Sequence, residues 1–411
     1  MTGQTIDPTA RIAHIARFEP GIQAFAAHDP DRLEQDLATA PPGPLNGRLV
    51  GVKDIVDTQH YPTGYGSEIY AGHRATGDAA CVALLRAAGA SMAGKTVTTE
   101  FAFFRPGPTT NPFDPARTPG GSSSGSAAAV AMGMVDIGIA SQTAASLTRP
   151  ASYCGVVGFK PTYGRYALSG VKALGPSFDA LGTITPDVAT AIAADAVLAA
   201  PVPATLPVSP RAPARIGICR TPWWNEAEEG TRMAMEEAER LFGAHTAVET
   251  VQMDDFAAAA DLHVTIMSFE AAQALAWEYQ ARRDMCSPQI VGLIEAGRKI
   301  TRAAYEQAQT QAADLRRRAA ALFAQYDMLV APAAPGEAPL RSQGTGSPIF
   351  SRLWTLLYLP TVTLPGLLGP SGLPVGIQCL APHGTDHALL GHALWAEALL
   401  PARPMPPALK S

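Results

Sequence analysis

The chain has 411 residues, 47% hydrophobic and 16% charged, a balance that favours one or two packed domains over disorder. Its net charge of −5 provides no basic footprint for nucleic acid. No apolar run reaches the length of a membrane span, and the opening "MTGQTIDPTARIAHIARFEP" has no signal-peptide core. A cytoplasmic protein that binds neither membrane nor nucleic acid is expected.

In chain order, "GRLVGVKDIVD" reads as a strand, "DAACVALLRAAG" as a helix ending at Gly89, and "ASMAGKT" as a second strand. The octet Gly89–Thr96, "GASMAGKT", matches the phosphate-loop pattern at every position. That loop needs a strand before it and a helix after it, and here the order is reversed. Gly89 reads instead as a helix C-cap and Lys95 as structural. "VVGFKPT" and "ARIGICR" continue the alternation of strands and helices, which defines an α/β class. Pro201 to Arg215 is the only linker-like stretch, and strand-like segments on both sides of it favour a single domain over residues 1–411. From about Met253 to Tyr326 the chain reads as largely helical.

Five cysteines, odd in number and without a C-x-x-C pair, read as free thiols rather than a disulfide or zinc framework. His383, His387 and His392 cluster in sequence, but His383 falls before a helix that Thr385 or Asp386 would cap. That geometry is poor for a metal, and neither metal nor cofactor is expected.

The segment Thr118–Gly133, "TPGGSSSGSAAAVAMG", places three serines before a run of small residues. A Gly/Ser linker should be polar on both sides, whereas "SAAAVAMGMVDIGIA" suits a tightly packed helix. A phosphate cradle lacks its lysine here. A serine that does chemistry needs a base, and Lys53 in "VGVKDIV" is a candidate, because burial in an apolar strand would favour its neutral form. An ion pair of Lys53 with Asp54 or another carboxylate is the alternative left open by the residues alone.

Taken together, "GVKD", "GGSSSGSAAAVA", "QTAASLTRPASYCGVVGFKPT" and "WTLLYLPTVTLPG…GLPVGIQ" resemble the amidase signature family, from about Pro20 to Leu400. Lys53 precedes Ser122 by 69 positions and Ser122 precedes Ser146 by 24, spacings that support the resemblance. It implies a mixed central β-sheet covered on both faces by helices. It also implies a Ser–cisSer–Lys triad, with Ser146 as nucleophile, Ser122 as bridging serine after a cis peptide from Gly121, and Lys53 as base. Ser123 would help to orient Lys53, and the backbone N–H groups of Thr143, Ala144 and Ala145 would form an oxyanion hole. The implied activity is amide C–N hydrolysis through an acyl-enzyme, on a small-molecule amide, with a homodimer left open.

The chain departs from the commonest family pattern around the nucleophile, D-T-G-G-S-I-R, where it reads "QTAASLT". Gln142 and Thr148 replace an acid and an arginine, and losing both charges together avoids stranding one of them. With "RPA" at Arg149–Ala151 this resembles a branch of the family and weakens an amidotransferase assignment. Ala144 and Ala145 replace a glycine pair, which puts the oxyanion hole at risk if either position needs a positive φ. A stand-alone amide hydrolase is therefore the leading expectation. Its rivals are a carbamate or urea hydrolase, the catalytic subunit of an amidotransferase complex, and a degenerate non-catalytic relative. The resemblance implies that the helical segment from about Asp254 to Thr310 shapes the acyl pocket; Met267, Phe269 and Trp277 suggest an apolar lining there, and plain helix-spaced core is the alternative that the residues leave open.

Overall fold

A computed structural model of the protein describes residues 7–199 and 208–410, so part of the proline-rich stretch Pro201–Arg215 lies outside the described residues. The strands are β1 (Phe25–Ala27), β2 (Leu49–Lys53), β3 (Ser91–Thr96), β4 (Ile137–Gln142), β5 (Val157–Lys160) and β6 (Ala180–Thr185). They continue with β7 (Arg215–Cys219), β8 (Ala247–Val251), β9 (Met328–Pro332), β10 (Thr361–Leu368) and β11 (Pro374–Leu380). All join one sheet in the order β1-β3-β2-β4-β6-β5-β10-β11-β9-β7-β8. Strand β2 runs parallel to β3 and β4, β7 runs parallel to β8 and β9, and the remaining pairs are antiparallel. The sheet is therefore mixed.

Every residue of β2, β3 and β4 is buried, as expected when both faces of a strand are covered. Alternate side chains enter two separate cores. Val50, Met92, Ile137 and Ile139 pack in one, while Leu49, Ala93 and Ala140 pack in the other. The small-residue run after the three serines forms the fully buried helix Ser124–Ala131, which lies against the sheet on the second face. Its fit depends on small side chains. A Cβ at Gly125 would come within 2.2 Å of the Ala24 carbonyl oxygen and 2.4 Å of the Val97 nitrogen, and Ser126 Oγ donates to the Ile139 carbonyl.

The phosphate-loop lookalike follows a helix, Ala80–Ala87, and runs from Gly89 at φ +92° into β3. Lys95 is fully buried and bound to Asp54 at 3.2 Å and Thr63 Oγ1 at 2.6 Å, so it has a structural role. The segment after Met253 contains helices Ala259–Ala274, Ala276–Arg282, Pro288–Arg298 and Arg302–Leu322. Near the C-terminus, His392 donates to the Arg211 carbonyl. Among the described residues no cluster of His, Cys, Asp or Glu could hold a metal, and no helix is long and apolar enough to cross a membrane.

Candidate active site

The site lies at the carboxyl ends of the parallel strands β2 and β4, where open α/β sheets commonly bind ligands. Lys53 ends β2 and is wholly buried. Its Nζ lies 2.6 Å from Ser122 Oγ and 2.7 Å from Ser141 Oγ, with the Ser141 carbonyl at 3.5 Å. Burial holds its pKa well below the ordinary lysine value, with Asp179 opposing the shift. Among the described residues Lys53 has no carboxylate within ion-pair distance. The pairing with Asp54 that the sequence left open does not form, because Asp54 binds Lys95 instead.

The Gly121–Ser122 peptide is cis. Gly121 sits where a Cβ would come within 2.8 Å of Thr345 Cγ2, so the backbone passes closer to its neighbours than a side chain allows. Arg149 binds the Gly121 carbonyl at 2.7 Å and also the Gly346 carbonyl and Thr345 Oγ1. Burial lowers its pKa to about 10, which leaves it charged at neutral pH. Ser123, expected to help orient Lys53, makes no direct contact with it and bonds the residue beside it. Its Oγ donates to the Ser141 carbonyl and accepts from the Ser141 N–H rather than meeting Lys53. Ser141 joins Ser122 in contacting the amine, and a serine two positions before "TAAS" carried no signal of that contact in sequence.

Ser146 follows β4 on a short loop and is 8% exposed. The loop is held by its carbonyls. His263 Nε2 donates to Thr143 O at 2.7 Å, Thr355 Oγ1 to Ala144 O at 2.9 Å, Arg149 N to Ala145 O at 3.1 Å, and Ser123 N to Ser146 O at 3.1 Å. In a trans peptide the N–H points opposite to the C=O. Anchoring the carbonyls of Thr143, Ala144 and Ala145 therefore turns the N–H groups of Ala144, Ala145 and Ser146 to the other side. Neither alanine lies at positive φ, so the methyl groups impose no left-handed strain. Thr143 is held further by Asp179, which accepts from its Oγ1 at 2.5 Å and from the N–H groups of Leu174 and Gly175. His263 is buried and stacked on Phe178, and burial lowers its pKa to about 3. It is a neutral imidazole that donates from Nε2.

Gln142 shows how the missing charge pair is replaced. Its Oε1 accepts from Leu147 N, Thr148 N and Thr148 Oγ1, and its Nε2 donates to Thr355 Oγ1. A neutral amide thus satisfies the first N–H groups of helix Thr148–Tyr153 without a carboxylate.

Ser122, Thr143, Ala144, Ala145 and Ser146 line one common cavity, which they share with Arg149, Met267 and Arg352. One wall is Ala102–Phe104, and in this stretch Phe101, Ala102 and Phe104 take φ of 46°, 62° and 29°. Non-glycine residues in that region are strained, and such strain clusters at functional sites. Of the three expected apolar residues only Met267 lines this cavity. Phe269 stacks on Tyr305 and Trp277 is 53% exposed. Two positions along a helix turn a side chain to the opposite face, which separates Phe269 from Met267.

A family model described as Amidase matches residues 12–390. The chain belongs to the amidase family, whose signature and α/β fold the sequence and structure share. It is similar to a glutamyl-tRNA(Gln) amidotransferase polypeptide of Thermus thermophilus, 33% identical over 94% of this chain and 91% of that protein. Among solved structures it resembles a chain of a vestigial protein complex bearing on the origins of an s-triazine catabolic enzyme. That chain is 27% identical with a TM-score of 0.89, over 97% of this chain and 95% of that one. It also resembles an amidase at 28% identity and TM-score 0.86, covering 96% of each chain.

Proposed function

We propose that the protein cleaves an amide C–N bond with Ser146 as nucleophile, Ser122 as proton bridge and Lys53 as base. The observation that carries this reading is the 2.6 Å contact between a buried Lys53 amine and Ser122 Oγ. A neutral amine takes the Ser122 proton while Ser122 takes that of Ser146, and the Ser146 oxygen attacks the carbonyl carbon. The developing oxyanion is met by backbone N–H groups of the 143–146 loop. Collapse breaks the C–N bond, and the proton returns through Ser122 to the departing nitrogen. Water then attacks the acyl-enzyme by the same relay and releases the carboxylate. The unstrained alanines and the intact Lys53–Ser122 contact argue against a degenerate relative.

This chemistry serves two settings. The Thermus relative, one polypeptide of an amidotransferase and matched over nearly the full chain, supports the catalytic subunit of an amidotransferase complex above the stand-alone hydrolase that the sequence led us to expect. The stand-alone reading, including a carbamate or urea substrate, draws support from the solved amidase neighbour. One preparation tests both parts. A fluorophosphonate should label Ser146, and Ser146→Ala and Lys53→Ala should each remove nearly all amide turnover. Lys53→Arg should not restore it, since a guanidinium stays protonated. Labelling elsewhere, or a rate indifferent to Lys53, would sink the triad. Co-purifying subunits required for turnover identify the complex, and full activity of the chain alone identifies the hydrolase.

A further inference from the structure

Arg352 lies on helix Ile349–Leu356 and lines the same cavity as Ser122 and Ser146. Among the described residues its guanidinium makes no ion pair, and its Nε is buried without a hydrogen-bond partner. The carboxylate that acts on it, Asp261, is exposed and beyond ion-pair distance. Arg149, the second guanidinium in the wall, is occupied by carbonyl and hydroxyl oxygens and carries no counter-charge either. No Asp or Glu lines the cavity among the described residues. Two cations facing a narrow, low-dielectric space attract an anion and repel a substrate ammonium.

The helix that carries Arg352 is also fastened to the nucleophile loop. Thr355 bonds Ala144 O and Gln142, and Ser351 bonds Thr148 Oγ1 at 2.9 Å. Arg352 thus stands in fixed register with Ser146. A group bound to it would sit at a set distance from the reacting carbonyl, which is the positional control that orients a substrate for attack.

We propose that Arg352 is a specificity-determining residue that pairs with a carboxylate on the acyl part of the substrate, so that the preferred substrates are amides of dicarboxylic acids bearing one free carboxylate. The proposal rests on the amide-hydrolysis reading above. The guanidinium fork matches a carboxylate through two parallel hydrogen bonds, and the anion supplies the partner that the protein itself omits.

The test compares linear monoamides of dicarboxylic acids with unsubstituted primary amides of equal chain length. Wild type should prefer the acid amide by about tenfold or more in kcat/KM, the worth of a charge-assisted hydrogen bond in a shielded site. Arg352→Gln should collapse that ratio and Arg352→Lys should retain part of it, while a dicarboxylic acid should slow fluorophosphonate labelling of Ser146 in wild type more than in Arg352→Gln. An absent preference in wild type, or one that survives Arg352→Gln, overturns the proposal while leaving amide hydrolysis in place. Failure of every amide together with no labelling of Ser146 overturns the underlying function and this proposal with it.

Discussion

Replacing Ser141 by alanine takes away one of three oxygens around the Lys53 amine. Those oxygens are Ser122 Oγ at 2.6 Å, Ser141 Oγ at 2.7 Å and the Ser141 carbonyl at 3.5 Å. In the proposed reaction Lys53 becomes an ammonium as attack proceeds, and a buried ammonium needs acceptors more than an amine does. A hydrogen bond to a charged group contributes about 1.5–3 kcal/mol, so kcat should fall by about tenfold to a hundredfold. The pH profile adds a second readout. The base must be neutral, so kcat/KM rises with pH through the depressed Lys53 pKa. Losing an acceptor disfavours the ammonium further, so in Ser141→Ala the acid limb moves to lower pH while the plateau drops. The assay is kcat and kcat/KM across pH on one good amide, with a thermal melt as the folding control. A plateau within about twofold of wild type on an unmoved limb, or a limb displaced to higher pH, refutes the reasoning.

Two further outcomes follow from the loop that carries Ser146. Because Ala144 and Ala145 lie outside positive φ, Ala144→Gly, Ala145→Gly and the double change should alter kcat/KM by less than about tenfold; a silent wild type revived only by the double glycine variant would show the oxyanion hole to be broken. Folded His263 stays neutral to about pH 3, against 6.5 for the free imidazole, so the unfolded chain binds more protons between those values and stability falls as pH drops through that window. The ceiling is on the order of 5 kcal/mol. His263→Gln, which can still donate to Thr143 O, should flatten this limb in acid titrations followed by circular dichroism, and identical limbs in the two proteins would assign it to other groups.

The strands around Lys53 and the helix after the three serines were legible because their cause is local. Period-two apolar runs in "GRLVGVKD" and small residues in "SGSAAAVA" act through neighbours a few positions away. The resemblance carried Lys53, Ser122 and Ser146, since three linked motifs at set spacings specify more than any one of them. Trp277 misled, because a helix-compatible apolar residue reads the same whether its face meets a cavity or water.

What the sequence by itself determined is the α/β class and the irrelevance of the phosphate-loop lookalike, while the resemblance supplied the three residues of the proposed relay. Only the tertiary structure decided which carboxylate Lys95 takes, that Ser141 rather than Ser123 contacts Lys53, and that His263, 120 positions from Thr143, holds the loop that carries Ser146. It likewise decided that Arg352 faces the cavity with no ion-pair partner among the described residues. These contacts join segments that no local periodicity links. Each is selected by burial, since a polar group carried into the interior must take whatever acceptor or counter-charge the sheet brings beside it, and the identity of that neighbour is set by strand order rather than by spacing along the chain.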